Sequence, residues 1–287
     1  MKKLLLLTIL FIIGCNNSTE PTDCDGVEGG NAVEDNCGTC DSDSTNDCTA
    51  DCNGVWGGTY SINECDYCLP EYASNYNCDD LNVIDVFKSQ SSITENVIID
   101  IGNQIWSEVN GRLISLDLRR LEISGTIPQS ISDITYLEKL LLSHNGFSGS
   151  IPTKIGDLSN LKVIALGNNQ LTGEIPTSFY NLSNLEELWL WGNQLSGQIS
   201  NDIGNFNKLD VLDISENQFS GAIPESICEL YLIIWSPVWD GVFTNRGFLY
   251  DNNFCPEYPS CVKEYVGEQD TSECEYCIEN PTDPLCN

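Results

Sequence analysis

Hydrophobic positions repeat every 24 residues from residue 113 onward. One apolar column contains Leu116, Leu140, Ile164, Leu188 and Leu212, and a second, two residues later, contains Leu118, Leu142, Leu166, Leu190 and Ile214. An asparagine column follows at Asn145, Asn169, Asn193 and Asn217, and a glycine column at Gly125, Gly149, Gly173, Gly197 and Gly221. Five repeats in register predict a single stacked architecture rather than a series of independent elements.

Each column predicts a local structure. Two apolar residues separated by one position indicate a short strand whose alternate side chains point inward. The asparagine amide can satisfy backbone groups that the following bend leaves unpaired. Glycine and proline in the Gly-x-Ile-Pro segment then return the chain along the outer side. One such turn cannot bury its apolar side, so the turns must stack around a shared core.

The consensus LxxLxLxxNxLSGxIPxxIGxLxNL of residues 113–227 resembles the plant-type, 24-residue class of leucine-rich repeats. The resemblance implies a repeat solenoid with short parallel strands on the concave face and an irregular or 3-10 convex side, as in extracellular receptor and inhibitor proteins. Two positions depart from the pattern. Leu121 stands where the asparagine column would begin, so its turn must be satisfied otherwise, and Ser200 replaces proline, which we expect to loosen one outer turn.

The ends of a solenoid expose core and need caps. Upstream, Leu81 to Phe87 can form an amphipathic helical turn, and Trp106 before Gly111-Arg112 resembles plant-type amino-terminal caps without their usual paired cysteines. Downstream, Cys228, Cys255, Cys261 and Cys274 predict a disulfide-stapled cap, with Cys277 and Cys286 left for a last small loop. The predicted organisation is a signal peptide (1–14), a lipidated tether (15–23), an acidic cysteine-rich module (24–78), an amino-terminal cap (79–112), the repeats (113–229) and a carboxy-terminal cap and tail (230–287).

Two tryptophans on the predicted concave face suggest a binding site. Trp189 and Trp191 alternate with Leu188 and Leu190, which already fill the core side, so the indoles should face outward. Their predicted neighbours on this face are Leu141, the small residues Ala165 and Gly167, and the polar residues Asp213, Glu187 and Lys139. An aromatic shelf with polar groups at its edge suits a protein or glycan ligand. The alternative is that Trp191 lies flat over Ala165 and Gly167 to cover them.

The first fifteen residues predict export and anchoring. Lys2 and Lys3 precede an apolar run, Leu4 to Ile13, that is too short to span a bilayer and fits a signal peptide. The run ends in Ile12-Ile13-Gly14-Cys15, which resembles the lipobox of bacterial lipoproteins. That resemblance implies cleavage before Cys15 and lipidation of it, and Asn16 favours the outer membrane. The alternative is an ordinary secretory signal with an unrelated cysteine.

Residues 24–78 contain a duplicated cysteine motif. CDGVEGGNAVEDNCGTC from Cys24 aligns with CNGVWGGTYSINECDYC from Cys52, and each copy holds four cysteines. Disulfides fit an exported segment too polar to fold on its own core. Zinc at Cys37, Cys40, Cys65 and Cys68 is the rival interpretation. Calcium at Asp41, Asp43 and Asp47 is a second hypothesis, set against a plain solvated acidic spacer.

The charge balance narrows the function. The chain has 43 acidic and 12 basic residues and a formal net charge of −31, which argues against nucleic acid and against direct adsorption to anionic lipid. The single histidine, His144, has no neighbouring nucleophile or acid in the sequence pattern, and we expect no enzyme activity. The sequence therefore predicts a lipid-anchored surface protein that binds an extracellular protein or glycan. A structural adhesin or spacer, with a calcium-stiffened acidic stalk, is the alternative.

Overall fold

The computed structural model describes residues 23–24, 27, 30–34, 38, 40–42, 50–53, 55, 58–92, 98–236, 246–272 and 274–279. Two compact units divide the chain, residues 1–59 and 60–287. In the first unit, strands β1 (Val33–Glu34) and β2 (Cys40–Asp41) pair antiparallel, and a disulfide joins Cys24 to Cys40. The division falls inside the second cysteine motif, upstream of the predicted module end at residue 78.

The second unit is built on an eight-stranded sheet that forms the concave face. Its strands in chain order are β5 (Asn103–Trp106), β6 (Leu113–Asp117), β8 (Lys139–Leu141), β10 (Val163–Ala165), β12 (Glu187–Trp189), β14 (Val211–Asp213), β16 (Ile234–Trp235) and β17 (Arg246–Phe248). All neighbours are parallel except β5 and β6. Leu116, Leu140, Ile164, Leu188 and Leu212 lie opposite one another in register and are buried, which confirms the first apolar column.

A second parallel sheet and a series of 3-10 helices complete each repeat. The sheet contains β7 (Ser124–Thr126), β9 (Gly146–Gly149), β11 (Gln170–Gly173), β13 (Gln194–Gly197), β15 (Gln218–Ala222) and β18 (Asn253–Cys255). The outer side carries 3-10 helices at Gln129–Asp133, Thr153–Asp157, Thr177–Asn181, Asn201–Asn205 and Glu225–Glu229. A continuous apolar core runs between the sheets and these helices. The predicted solenoid, with parallel concave strands and 3-10 convex turns, is confirmed.

A sixth repeat strand, β17, was missing from the sequence prediction. It pairs in register with β14, so that Phe248 lies opposite Asp213. The sequence signal was present, because Leu249-Tyr-Asp-Asn252-Asn-Phe254 repeats the pattern of Ile214-Ser-Glu-Asn217-Gln-Phe219. An insertion in the chain between these segments breaks the 24-residue spacing, and a strict period therefore misses the repeat.

The asparagine column forms a hydrogen-bond ladder. In each step an amide nitrogen donates to carbonyls of its own and the preceding repeat, and the amide oxygen accepts a backbone N–H of the preceding repeat. Leu121 occupies the asparagine position of the first repeat. The backbone of its turn is still paired, because the side-chain oxygen of Asn145 accepts hydrogen bonds from the N–H groups of Leu121 and Ile123. The ladder continues through Asn252 and ends at Gln269, whose amide bonds to Leu249, Val266 and Phe254.

Ser200 does not loosen its outer turn. Its backbone angles, φ −65° and ψ 148°, are those of the prolines at the equivalent positions, such as Pro176 at −62° and 143°. Its hydroxyl accepts a hydrogen bond from the backbone N–H of Asp202, and its own N–H donates to the Tyr180 hydroxyl. A serine cap therefore supplies by hydrogen bonding what proline supplies by stiffness, and the expected loosening is wrong.

The amino-terminal cap is a helix held by a disulfide and a buried ion pair. After the hairpin of β3 (Tyr60–Ile62) and β4 (Cys68–Pro70) and a 3-10 turn at Glu71–Ala73, helix α1 runs over Cys78–Ser89. A further 3-10 turn, Ile98–Asp100, leads into β5. Cys78 bonds to Cys65, so the cap has a disulfide although the sequence pattern indicated none. Asp80, fully buried on α1, accepts hydrogen bonds from Arg112 and from the backbone N–H of Leu113, where β6 begins.

The carboxy-terminal end is closed by two disulfides. Cys228 bonds to Cys261 and Cys255 to Cys274, which confirms that these four cysteines staple the last turn of the solenoid. A short helix, α2, covers Glu275–Glu279. The side chain of Cys277 and all of Cys286 lie outside the described residues. Within the described parts of the chain, every helix is too short or too polar to cross a membrane.

Candidate functional site: the concave groove

The concave face carries an open groove of about 1100 Å³ across strands β6 to β14. Its walls include seven of the eight residues predicted to bind a ligand: Trp189, Trp191, Leu141, Ala165, Asp213, Glu187 and Lys139. It also contains Asp117, Arg119, Arg120, Ser143, His144, Glu216 and Tyr250, which were not among the residues predicted to bind a ligand. The parallel register brings these residues together, because equivalent positions of successive repeats form rows across the sheet.

Trp189 is the aromatic centre of the groove. It lies half-exposed on β12, opposite Ala165 on one side and Asp213 on the other. Its indole Nε1 donates a 2.9 Å hydrogen bond to Oε2 of Glu187. This bond ties the polar edge of the indole to the protein and orients the ring.

Trp191 covers Gly167 instead of leaving a recess beside it. A methyl group added to Gly167 would collide with the Trp191 indole, so the ring lies directly against the glycine backbone. Gly167 is buried and does not line the groove. The expected recess is therefore filled, as in the alternative interpretation of Trp191. The ring still lines the groove and meets the imidazole of His144 edge-on, with ring centres 5.4 Å apart.

Asp213 is a carboxylate almost buried in the floor of the groove. It is 4% exposed, between Trp189 and Phe248 in the same row. Its Oδ1 accepts hydrogen bonds from the hydroxyl of Ser215, at 2.6 Å, and from the Ser215 backbone N–H. Burial raises the pKa of Asp213 to about 6, although both bonds from Ser215 act to lower it.

This burial predicts a pH-dependent stability. From about pH 4 to pH 6 the folded chain binds a proton at Asp213 that the unfolded chain has released, because the folded pKa is raised from its ordinary 3.8. The protonated carboxyl therefore contributes fully to the free energy of unfolding at low pH, and this contribution is lost as pH rises through 6. Between pH 4 and pH 7 the wild type should lose roughly 2 kcal/mol of unfolding free energy relative to Asp213→Asn. Urea denaturation of both chains at several pH values measures this, and a pH-independent difference would contradict it.

A row of left-handed residues forms one rim of the groove. The residues just before the ladder position have φ between 54° and 64° in five successive repeats: Arg120, His144, Asn168, Gly192 and Glu216. The tight bend into the asparagine ladder requires this conformation, which is uncommon for residues other than glycine. Position relative to the ladder was the sequence signal that could have identified Arg120 and Glu216 as groove residues.

His144 belongs to this rim. Its Nδ1 lies 2.8 Å from the side-chain nitrogen of Asn168. Burial, and then the positive charges of Arg120 and Arg119, lower the pKa of His144, which favours the neutral ring. A neutral imidazole held by an amide and by the edge of Trp191 suits a polar contact in a binding surface.

The predicted anchor and calcium residues are not described structurally. Cys15, Asp43 and Asp47 lie outside the described residues, as does the side chain of Asp41. Among the residues that are described, no group of three or more His, Cys, Asp or Glu could hold a metal ion. Of the four cysteines in the zinc hypothesis, Cys40, Cys65 and Cys68 are disulfide-bonded, so this zinc interpretation is wrong.

Comparison with known proteins identifies the repeat. A family model described as Leucine Rich Repeat matches residues 136–158, 160–182, 184–206 and 208–230. The BIR2 ectodomain from Arabidopsis thaliana is 27% identical, with 65% of this chain and 99% of that chain covered and a TM-score of 0.52. No curated protein matches the chain.

Two longer proteins match this chain over part of their length. PEPR1 in its structure with AtPEP1 is 23% identical, with 64% of this chain and 26% of that chain covered and a TM-score of 0.54. The plant peptide hormone receptor RGFR1, in complex with RGF2, is 34% identical, with 55% and 23% covered and a TM-score of 0.47. The chain thus spans about a quarter of either receptor.

The family match, the strand register and the asparagine ladder define the class of protein. The second unit of the chain is a leucine-rich-repeat solenoid, and its structural neighbours are ectodomains of plant receptors.

Proposed function

We propose that this chain is a surface-anchored binding protein that holds an extracellular protein partner in its concave groove. The observation that carries the proposal is the open groove with Trp189 at its centre, half-exposed and oriented by Glu187. Tryptophan in a concave surface surrounded by charged and apolar groups is typical of residues that dominate binding energy. The same scaffold in PEPR1 is described together with AtPEP1, so the fold is compatible with a partner of this kind.

The sequence supports the location that this function needs. A basic start, a short apolar run and Cys15 at its end favour export and a lipid anchor at the outer membrane. Disulfides at both ends of the solenoid are consistent with an oxidising compartment. Incorporation of labelled palmitate, lost in Cys15→Ser, would test the anchor.

Substitution of Trp189 should remove most of the affinity. An array of extracellular proteins and glycans, probed with the wild type, identifies partners, and each is then measured against Trp189→Ala. We expect affinity to fall about thirtyfold or more, since a central tryptophan contributes 2 kcal/mol or more. Trp191 is less informative because its removal also uncovers Gly167.

Tyr72→Ala provides the matched control. Tyr72 is a large aromatic residue, 71% exposed, and it does not line the groove. Its removal should leave affinity unchanged, and both variants should keep the wild-type circular dichroism spectrum. Partners that bind Trp189→Ala as tightly as the wild type would show that the concave groove is not the binding site.

A further inference from the structure

Charged side chains in the concave groove are separated by sign along its length. The first two repeats contribute Arg119, Arg120 and Lys139 with a single acid, Asp117, and the fourth and fifth contribute Glu187, Asp213 and Glu216. Three of the chain's 12 basic residues thus meet in one groove, although the chain as a whole has 43 acidic residues. The positive end therefore stands out against a strongly negative protein.

The positive end has charge available for a ligand. Arg119 is neutralised by Asp117, with a 2.7 Å ion pair. Arg120 and Lys139 are exposed and form no salt bridge with any residue of the described chain. His144 beside them tends to be neutral, because burial and the two arginines lower its pKa.

The negative end and the middle of the groove differ in chemistry from the positive end. Glu216 is exposed on the rim, and Glu187 is half-buried with one oxygen bonded to Trp189. Between the two ends the floor is apolar, formed by Leu141, Ala165 and the two indoles.

The backbone holds both ends in equivalent geometry. Arg120 and Glu216 occupy the same rim position of different repeats, with φ of 61° and 54°. Lys139 and Glu187 lie in one row, because each pairs with Val163 from opposite sides. Since the backbone repeats, side-chain charge is what distinguishes one end from the other.

We infer that the ligand of this groove is an extended peptide segment with its charges separated in the opposite sense. An acidic side chain lies at Arg120 and Lys139, a flat apolar side chain lies on Trp189, and a lysine or arginine lies at Glu187 and Glu216. From β6 to β14 there are four strand spacings of about 4.8 Å, or about 19 Å, which an extended chain covers in about six residues. The inference rests on the proposed function and specifies its ligand.

Complementary charge at both ends selects a partner more than it adds raw affinity. A uniformly acidic or basic peptide is repelled by like charge at one end of the groove. A peptide of alternating charge is repelled by like charge at both ends. The preference should weaken as salt is raised, because Arg120, Lys139 and Glu216 are solvent-exposed.

The test uses the full chain and labelled octapeptides with blocked termini, measured by fluorescence anisotropy. One peptide carries two glutamates, a central aromatic segment and two lysines. Its isomers have the same composition with alternating charges, and two further peptides carry only glutamate or only lysine. We expect the segregated peptide to bind about tenfold more tightly than its alternating isomer at low salt, as two exposed charge pairs allow.

A charge-reversed protein provides the decisive comparison. In Arg120→Glu/Lys139→Glu both ends of the groove are acidic, and the all-lysine peptide should become the preferred ligand. The chain itself shows that both substitutions fit, because Glu216 and Glu187 occupy the equivalent positions of later repeats. An unchanged circular dichroism spectrum confirms that the variant is folded.

The outcomes separate this inference from the proposed function. The inference is supported if the wild type prefers the segregated peptide and the charge-reversed variant prefers the all-lysine peptide. If the segregated and alternating isomers bind equally well, and neither binds Trp189→Ala, the inference about separated charges is overturned. The proposed binding function of the concave groove then still holds. Failure of every peptide to bind overturns the inference, and array hits confined to uncharged glycans overturn both it and the proposed protein partner.

Discussion

Asp80→Ala should lower the free energy of unfolding by about 3–5 kcal/mol, the usual cost of breaking a buried ion pair. The Asp80 carboxylate is fully buried and accepts three hydrogen bonds, two from the Arg112 guanidinium and one from the backbone N–H of Leu113. Its removal leaves a partly buried arginine and a backbone donor without their acceptor. Because this residue joins α1 to β6, the cap should separate from the first repeat, and urea denaturation would measure the loss.

The neighbouring acid is the control for this prediction. Asp79 lies in the same first turn of α1 and is exposed. Asp79→Ala removes only a favourable charge at a helix amino terminus and should cost less than about 1 kcal/mol. In Asp80→Ala/Arg112→Ala the loss should be smaller than the sum of the single losses, because the uncompensated charge is gone. Additive losses would mean that the pair is not coupled.

Asn193→Ala should destabilise the chain by about 3 kcal/mol, since it interrupts the middle of the asparagine ladder. The side-chain oxygen of Asn193 is the hydrogen-bond acceptor for the buried N–H of Leu171. Its nitrogen donates to the carbonyls of Leu166 and Leu190, which also accept from the asparagines on either side. The carbonyls therefore keep one partner each, and the unpaired N–H accounts for much of the loss.

Asn181→Ala is the matched substitution, an asparagine in the preceding repeat. Asn181 ends an outer 3-10 helix and its side chain is exposed. Exposed substitutions of this kind change stability by about 0.5 kcal/mol or less. Equal denaturation midpoints for the two variants would show that the ladder does not stabilise the solenoid as its geometry indicates.

The repeat part of the fold was predictable because its interactions are periodic. A leucine at Leu188 and an asparagine at Asn193 contact the same kinds of residue as their counterparts 24 positions away, so one pattern specifies all of them. The same regularity placed seven of eight predicted site residues in one groove. The pattern also explains the omissions, since the position of Arg120 and Glu216 just before the ladder is occupied by a different kind of residue in each repeat.

Features outside the strict 24-residue period were not predicted. Asp80 and Arg112 are separated by 32 residues, and nothing in the sequence pairs them. The sixth strand, β17, follows an insertion that breaks the spacing. Ser200 was expected to loosen a turn because the pattern shows the missing proline and does not show the hydrogen bonds that replace it.

By itself the sequence determined the stacked repeats, the side of each strand that faces the core and the outward direction of both indoles, because these follow from spacing along the chain. Tertiary structure alone decided that Trp191 covers Gly167, that Phe248 lies beside Asp213, and that charges of opposite sign occupy opposite ends of one groove. The physical reason is that burial and electrostatic environment depend on which repeats lie side by side and on how side chains fill the space between them. Spacing in the sequence specifies the rows, and packing decides what each row exposes.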